Sequence, residues 1–307
     1  MNLLDAMRYL VALEQHKHFG RAASACHITQ PALSNALRSL EAELEVSIVR
    51  RGRQYEGLTP EGERVLASAN RLLREQELLQ QDLHSSIDTP RGTLLIGAVP
   101  TTLPVAARFA AQLQARHAGI RPVLRSLSSP EIETGLDNLS LDIGLGYTER
   151  GARFTAVPQY TERYFLLRRA AVGAGAPLKI GAPLPWREAA SMRLCLMTPD
   201  MHNRTLIDAA FRHAGCEPQS AIETNSIVAM VLAVLHGEVA TVLPGALMTL
   251  ARGHAGLEAL PLCEPDASTQ IGFMVAQGVR PSRSLEAALA MARDDTWLRE
   301  SATHGGP

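Results

Sequence analysis

Four polar side chains in one short segment have the chemistry that reads DNA bases. Gln30, Ser34, Asn35 and Arg38 fall on one side of a helical pattern, opposite a stripe of leucines. Gln and Asn pair bidentately with adenine, Arg pairs with guanine, and Ser contacts either a base or a phosphate. Any one of them alone fits an ordinary solvated helix face. Their conjunction predicts a recognition helix that enters the major groove.

The neighbouring sequence predicts the elements that position this helix. Thr29 is suited to be its N-cap and Pro31 to its first turn, where a missing N–H costs nothing. A short alanine-rich helix precedes it, so the two form a helix–turn–helix. Short strands at 46–49 and 57–58 then form a wing. The arginines predicted to contact phosphates or a minor groove from the wing are Arg50, Arg51 and Arg53.

Composition sets limits on the other classes of protein. The chain has 307 residues, 46% of them apolar and 20% charged, which is typical of a globular protein with two or three domains. The formal net charge is −1, and residues 1–60 hold seven basic and six acidic side chains, so a basic footprint must be local. We expect no membrane span, no signal peptide, no metal site and no cofactor. A cytoplasmic location with reduced thiols is the simplest prediction.

The spacing of apolar residues over 60–89 predicts a long helix that connects two parts of the protein. An apolar stripe with heptad spacing occupies one face and has no evident partner in the nearby sequence. We therefore predict a dimerising linker helix that ends at the Thr89–Gly92 break. Its stripe consists of Val65, Ala69, Leu72, Gln76, Leu79 and Leu83.

The rest of the chain alternates apolar strands with helices, which indicates a parallel α/β arrangement. Six strands are predicted, at 93–100, 122–127, 141–147, 164–169, 192–197 and 239–244. Helices are predicted between them at 104–117, 130–138, 203–214 and 226–236.

These motifs resemble those of a known family. Phe19 followed by RAA, then ITQPALSNALRSLE, the arginine pair of the wing and LTPEG at 58–62 are similar to LysR-type transcriptional regulators. Two departures affect the turn and packing below the wing: Glu45 stands where that family usually has Gly, and Ile48-Val49 replaces its usual Leu-Phe.

The resemblance implies a multi-domain α/β architecture. Residues 1–59 would be a winged helix–turn–helix, 60–89 the linker helix, 90–162 with 264–307 the first regulatory subdomain, and 163–263 the second. The two subdomains would resemble a periplasmic binding protein with an effector between them. It further implies a homodimer or homotetramer on an inverted-repeat promoter site in double-stranded DNA.

A narrower resemblance concerns the effector. MNLLDAMRYLVAL and HITQPALSNAL are similar to regulators found beside formate dehydrogenase operons. This implies formate or another small carboxylate as the effector.

Several polar residues follow the predicted strands, where an open α/β sheet binds ligands at helix N-termini. Arg204 is the one full positive charge among them, which favours a small anion. Helix capping, or a solvated surface position for Arg204, explains each of them equally well when taken singly. The predicted effector-binding residues are Thr101, Thr102, Ser128, Ser129, Thr198, His202, Asn203, Arg204, Asn225 and Ser226.

Alternatives to a ligand-controlled regulator stay open in the sequence. One is a constitutive DNA-binding protein whose α/β module senses nothing. Another is an enzyme on the α/β half, although no catalytic motif is visible and no catalytic residue is predicted. A redox switch between Cys195 and Cys216 competes with the simpler interpretation of two buried, inert thiols.

Overall fold

The computed structural model describes residues 2–50, 52, 55–84, 90–150, 153–170 and 178–303. The chain divides into two compact units. The first comprises Met1–Thr89 with Thr134–Leu141, and the second comprises Pro90–Glu133 with Asp142–Pro307.

Four helices form the N-terminal unit: α1 Leu3–His16, α2 Phe19–Ala25, α3 Gln30–Leu44 and α4 Pro60–His84. Side-chain caps fix where three of them begin. The Asn2 side chain accepts from the Leu4 amide, His18 accepts from Gly20 and Arg21, and Thr29 accepts from Ala32 at 3.4 Å. The predicted cap at Thr29 and the placement of Pro31 in the first turn are confirmed.

The core of this unit is built from small and branched apolar residues. Ala22 and Ala23 let α2 approach its neighbours closely, as the alanine pattern predicts. The buried members of the core are Ala6, Leu10, Leu13, Ala22, Ala23, Leu33, Leu37, Leu40, Ile48, Leu58 and Leu66.

The wing contains less strand than predicted. Instead of strands at 46–49 and 57–58, a single antiparallel bridge joins Val49 and Leu58. Side chains hold the segment in place: the Glu41 carboxylate accepts from the Ile48 amide at 2.7 Å and from the Val49 amide at 3.1 Å. The prediction of two strands is wrong because the two arms pair only around this bridge, through the Arg50 amide to the Gly57 carbonyl and the Thr59 amide to the Ile48 carbonyl, each at 3.0 Å.

The wing also lies against the start of α4, which Thr59 caps by accepting from the Gly62 amide at 2.9 Å. A Cβ on Gly62 would lie 2.1 Å from the Ile48 carbonyl oxygen. Gly62 is therefore required by close backbone approach.

The apolar stripe predicted on α4 divides between two surroundings. Ala69 is buried, and Gln76 accepts a hydrogen bond from an arginine of α1 at 2.7 Å, so part of the stripe packs within its own chain. Leu72 and Leu79 are 45% and 60% exposed. The partner of the packed part is α1, which is distant in sequence, and the dimerising role of this helix stays a prediction. The side chain of Leu83 and the predicted end of the helix lie outside the described part of the chain.

The second unit is an eleven-stranded mixed sheet with helices. Its strands are β1 Gly92–Ala98, β2 Ile120–Ser126, β3 Ile143–Tyr147, β4 Phe154–Arg169, β5 Lys179–Ile180, β6 Leu184–Pro185, β7 Leu194–Met197, β8 Ser220–Thr224, β9 Ala240–Pro244, β10 Leu257–Cys263 and β11 Ser268–Ala276. Its helices are α5 Leu103–Arg116, α6 Ser129–Asp137, α7 Trp186–Ala190, α8 His202–His213, α9 Ile227–His236, α10 Met248–Ala251, α11 Arg283–Ala292 and α12 Asp295–Ala302.

The strand order β2-β1-β3-β11-β4-β9-β7-β8 contains two parallel groups. β1, β2 and β3 pair in parallel, as do β7, β8 and β9. Between these groups, β4 pairs antiparallel with β9, β10 and β11. The expectation of a parallel arrangement is therefore wrong at the centre, where the sixteen-residue β4 continues from one parallel group to the other.

Each group of parallel strands packs against its own hydrophobic core. Phe109 packs against Phe273 and Trp297, with ring centroids 4.4 and 5.1 Å apart, beside the first parallel group. Trp186 packs against Phe211 at 4.9 Å beside the second. We call these subdomains I and II; the predicted boundaries between them stay predictions.

Candidate functional site

The recognition helix presents its predicted polar residues to solvent. Leu33, Leu37 and Leu40 of α3 are buried. The exposed or half-buried residues on its other side include the four predicted to contact bases, Gln30, Ser34, Asn35 and Arg38. Thr29 and Pro31, which complete the predicted DNA-binding set in this segment, are also exposed.

The wing lies beside this face. A groove of about 290 Å³ is lined by residues of α3, including Ser34 and Arg38, and of the wing, including Arg50. Arg38 donates to the Asn35 amide oxygen at 3.3 Å, and the Arg50 Nε donates to the Leu58 carbonyl at 2.9 Å. Arg51 and Arg53 lie outside the described residues.

Sequence reasoning missed two carboxylates that support this surface. Glu41 holds the wing amides as described above. Glu14 of α1 accepts from the Tyr55 hydroxyl, and burial followed by this hydrogen bond raises the pKa of Tyr55. A glutamate facing the apolar side of its helix is the sequence signal that marks both.

A second candidate site lies between the subdomains. Its cavity has a volume of only about 10 Å³, close to the space of one water molecule. Six of its lining residues are polar: Thr101, Ser128, Ser129, Tyr147, His202 and Asn203.

Three helix N-termini meet at this cavity. Thr101 lies in the 3-10 turn Pro100–Thr102 that leads into α5, Ser129 begins α6, and His202 and Asn203 begin α8. Each helix start contributes the positive end of a dipole. At α6, the Glu131 carboxylate already accepts from the Ser128 amide at 2.8 Å and from the Ser128 hydroxyl at 2.7 Å. The residues that line the cavity are themselves uncharged donors and apolar groups.

Sequence reasoning missed Tyr147, although it is central to the site. Its hydroxyl shares a 3.2 Å hydrogen bond with Thr101, and its ring stacks edge-on against His202 with centroids 4.8 Å apart. Burial raises the pKa of Tyr147 most, and the charge of Glu162 raises it further. The Asn203 amide nitrogen is buried and makes no hydrogen bond of normal geometry to a described residue, although the Asn203 side chain interacts with the Tyr147 hydroxyl and lowers the pKa of Tyr147 in part.

Four of the predicted effector residues have other surroundings. Thr102 is buried and donates to the Val99 and Leu145 carbonyls, so its hydroxyl serves the fold. Asn225 and Ser226 are exposed, and Ser226 caps α9 by accepting from the Ala229 amide. Thr198, whose buried hydroxyl has no hydrogen bond to a described residue, is not among the residues that line the cavity.

Arg204 does not supply an uncompensated positive charge. Its guanidinium donates to Asp208 and Glu223, each at 2.8 Å, and to the Met197 carbonyl at 2.6 Å. Partial burial lowers the pKa of Arg204, but hydrogen bonds to Glu223 and Asp208 outweigh this and the pKa is raised. The expectation that this charge attracts an anion is therefore revised.

Within the described ranges, no cluster of three or more His, Cys, Asp or Glu side chains is placed to hold a metal ion. Among the same residues no helix is long and apolar enough to cross a membrane.

Comparison with known proteins identifies the family. Residues 4–63 match the profile of the bacterial regulatory helix-turn-helix protein, lysR family, and residues 88–297 match the LysR substrate binding domain. The chain therefore belongs to the LysR family. It is a LysR-type DNA-binding transcription regulator that carries an effector-binding module.

Relatives match over almost the full length. The DNA-binding transcriptional dual regulator OxyR of Escherichia coli strain K12 is 30% identical over 297 residues, which are 95% of this chain and 94% of that protein. A hydrogen peroxide-inducible genes activator of Haemophilus influenzae is 27% identical over 96% of this chain and 97% of that protein. These named relatives are transcription regulators, so the enzymatic alternative is set aside.

Solved structures share the fold. A full-length OxyR variant from Pseudomonas aeruginosa superposes with a TM-score of 0.71 at 23% identity, covering 98% of this chain and 97% of that one. Full-length CbnR complexed with its target DNA gives a TM-score of 0.65 at 17% identity, covering 97% and 99%. The predicted fold class, a helix–turn–helix followed by a two-subdomain α/β module, is confirmed.

Proposed function

We propose that this regulator responds to a small compact anion bound between subdomains I and II. Formate, the effector implied by the resemblance to regulators beside formate dehydrogenase operons, is the first candidate. The observation that carries the proposal is the convergence of three helix N-termini on one cavity lined by uncharged donors. Such sites bind anions through N–H groups and dipoles without a full positive charge.

The size of the cavity supports a ligand of few atoms. A volume of about 10 Å³ holds about one water molecule, so formate requires the subdomains to separate slightly and an aromatic acid requires them to separate much further. Thr101, Ser128, Ser129, His202 and Asn203 are the effector-binding residues that we retain from the sequence. Tyr147 joins them because its hydroxyl contacts Thr101 in the wall of the cavity.

The mechanism that we propose is a population shift. The anion binds better to the closed arrangement of the subdomains and so increases its population. Leu72 and Leu79 of α4 are the apolar residues available to join two chains as a homodimer, which pairs further into a homotetramer. Two α3 helices related by a two-fold axis then read an inverted repeat with half-sites about 34 Å apart.

Calorimetry and thermal unfolding test the ligand class. We expect sodium formate and sodium nitrite to stabilise the wild type, by about 2.7 kcal/mol at a hundred times the dissociation constant. Sodium benzoate, whose anion is too large, and ammonium benzoate, which exchanges only the cation, serve as controls. Equal effects of all four salts would contradict the proposal and favour the constitutive DNA-binding alternative.

Peroxide sensing, which the names of the OxyR relatives describe for those proteins, is not proposed for this chain. Cys195 is fully buried, and burial raises the pKa of its thiol. Oxidation by peroxide needs an accessible thiolate. No cysteine is among the residues that line the inter-subdomain cavity.

A further inference from the structure

An unexplained group of buried polar side chains lies on the central strands of the effector-binding module. Along β4, Tyr160, Glu162 and Tyr164 are buried while the residues between them are exposed, so the three share one face of the sheet. Thr269 of β11 lies directly opposite Glu162 in the antiparallel ladder and is also buried. We call these four residues the Glu162 cluster.

Three side chains of this cluster, Glu162, Tyr164 and Thr269, have buried polar atoms with little hydrogen-bonding compensation. Glu162 has no exposed surface, and neither of its carboxyl oxygens accepts a hydrogen bond of normal geometry from a described residue. The hydroxyls of Tyr164 and Thr269 are also buried, and they too lack a hydrogen bond of normal geometry to a described residue. A carboxylate with so little compensation is costly to bury, so the neutral acid is favoured.

The electrostatics agree with this geometry. Burial raises the pKa of Glu162 to about 8, although a hydrogen bond from Tyr160 lowers it in part. Glu162 therefore carries its proton near neutral pH and ionises in mildly alkaline solution.

The cluster is next to the effector cavity. Tyr147 of β3, Ile271 of β11 and Tyr160 of β4 are paired across three adjacent strands, and Glu162 is two residues beyond Tyr160 on the same face. Two strand spacings and two residues along β4 separate the Tyr147 and Glu162 backbones by roughly 12 Å. Glu162 is not among the residues that line the cavity, but its charge acts on Tyr147, which is one of them.

We propose that Glu162 is a specificity-determining residue of the effector cavity, because it admits an anion only while it carries its own proton. The inference rests on the proposed function and deepens it. The only bond that forms is the O–H bond of Glu162, and the solvent supplies the proton. With Glu162 ionised, an anion beside Tyr147 would meet a second negative charge at low dielectric.

The other titratable groups around Glu162 do not replace it in this role. Tyr160 and Tyr164 share its strand, and burial raises the pKa of each. Glu149 is exposed and acts on Tyr164, whereas His202 of α8 contacts Tyr147. The 3-10 turn Gly245–Leu247, which packs against β4, has no titratable side chain.

The linkage has a definite sign. Binding an anion beside Glu162 raises the pKa of this residue further, so binding takes up a proton. The anion affinity is then nearly full below about pH 7 and decreases as the pH rises through the pKa of about 8. Between about pH 7 and about pH 9 the protonated fraction of Glu162 falls roughly tenfold, and the affinity falls with it.

Isothermal titration calorimetry of the full chain with sodium formate and sodium nitrite tests the inference. We expect the wild type to bind about tenfold more weakly at pH 9 than at pH 7, and Glu162→Gln to bind equally at both. Glu149→Gln, which removes an exposed carboxylate of the same region, and His202→Gln both keep the pH slope. The same slope in wild type and Glu162→Gln would overturn the inference and leave the proposed function intact.

A second readout does not depend on any variant. Titrations in two buffers of different ionisation enthalpy count protons, and we expect an uptake of about 0.7 proton per anion at pH 8.5. No proton uptake by the wild type overturns the inference even if Glu162→Gln fails to fold. Absence of binding of both anions at either pH contradicts the proposed function itself, and the inference falls with it.

Discussion

The surface of α3 and the inter-subdomain cavity recognise their ligands by opposite means. The α3 surface places Gln30, Ser34, Asn35 and Arg38 on one exposed helix face, where each side chain reaches outward and can pair with a base edge. The cavity gathers buried groups from segments a hundred residues apart, such as Thr101 and Asn203, and orients three helix N-termini toward one small volume. Exposed side chains can contact the base edges of a large, stiff DNA duplex, whereas buried helix dipoles can bind a small diffusing anion.

The two regions also treat charge differently. Arg38 is exposed, and its guanidinium donates to the neutral Asn35 amide, so its charge is available to DNA. Arg204 forms ion pairs with the carboxylates of Asp208 and Glu223, which compensate its charge. The ionisable group whose charge acts on Tyr147 is an acid, Glu162. Counting charged residues in the sequence therefore predicts the charge of the α3 surface well and the charge of the cavity poorly.

The largest expected effect is on sequence discrimination by α3. Replacing Ser34, Asn35 and Arg38 together by alanine removes three contacts worth about 1–3 kcal/mol each in choosing the correct base pair. We expect the ratio of operator to random-duplex affinity, measured by fluorescence anisotropy at fixed salt, to approach one. Arg283→Ala removes an exposed arginine from the effector-binding module and should leave that ratio unchanged. A triple variant that discriminates as the wild type does would refute the role of α3.

The next largest expected effect is on the pH dependence of stability, which arises from the buried acid Glu162. The pKa of Glu162 rises from 4.5 in the unfolded chain to about 8 in the fold, so the folded protein binds more protons between these values. The contribution of protonated Glu162 is full below pH 4.5 and is lost as the pH rises toward 8. Between pH 5.5 and 7.5 the wild type should lose about 2–3 kcal/mol relative to Glu162→Gln. Urea unfolding at several pH values measures this, and parallel curves would show that Glu162 is not buried as an acid.

A matched pair of asparagines separates the cavity from its surroundings. Asn203→Leu removes a buried amide from the cavity wall, and we expect formate binding to weaken by about 2 kcal/mol, typical of a hydrogen bond to a charged group. Asn225→Leu alters an exposed residue that does not line the cavity and should leave binding unchanged. Isothermal titration calorimetry at neutral pH measures the formate affinity of both variants. Equal losses of affinity would mean that the effector binds elsewhere.

The smallest expected effect sharpens the description of the wing. Glu45 follows α3 with φ +54°, a left-handed conformation that favours glycine. Glu45→Gly should raise the free energy of unfolding by about 1 kcal/mol. Lys17→Gly at the end of α1, where φ is +50°, should stabilise less, because it also removes the ion pair with Glu14 and the contact of Lys17 with the Tyr55 ring. A loss of stability on Glu45→Gly would show that the glutamate side chain makes a contact that outweighs the strain.

The sequence predicts the N-terminal unit well because local rules decide it. The Thr29 cap, the leucine stripe of α3 and the Thr59-Pro60 start of α4 are each visible within a few residues. The single-bridge wing departs from expectation because its first arm also depends on Glu41, seven residues before Ile48, whose carboxylate accepts from the Ile48 and Val49 amides.

The effector-binding module is less visible in the sequence because long-range pairing decides it. The first half of β4 reads as alternating polar and apolar residues, and its burial depends on β11, more than a hundred residues later. Nothing near Arg204 in the sequence shows that Glu223 neutralises it. The pattern around Tyr147 predicts only a strand, and its hydroxyl becomes part of the site through Thr101, forty-six residues earlier.

The central claim is that occupancy of the cavity changes how α3 engages DNA. A footprint of the wild-type protein on its own upstream DNA, with and without sodium formate at neutral pH, tests this claim most directly. We predict that formate changes the length or spacing of the protected region in the wild type and has no such effect on Asn203→Leu. A footprint that is identical with and without formate, at concentrations that saturate binding measured by calorimetry, would contradict the account.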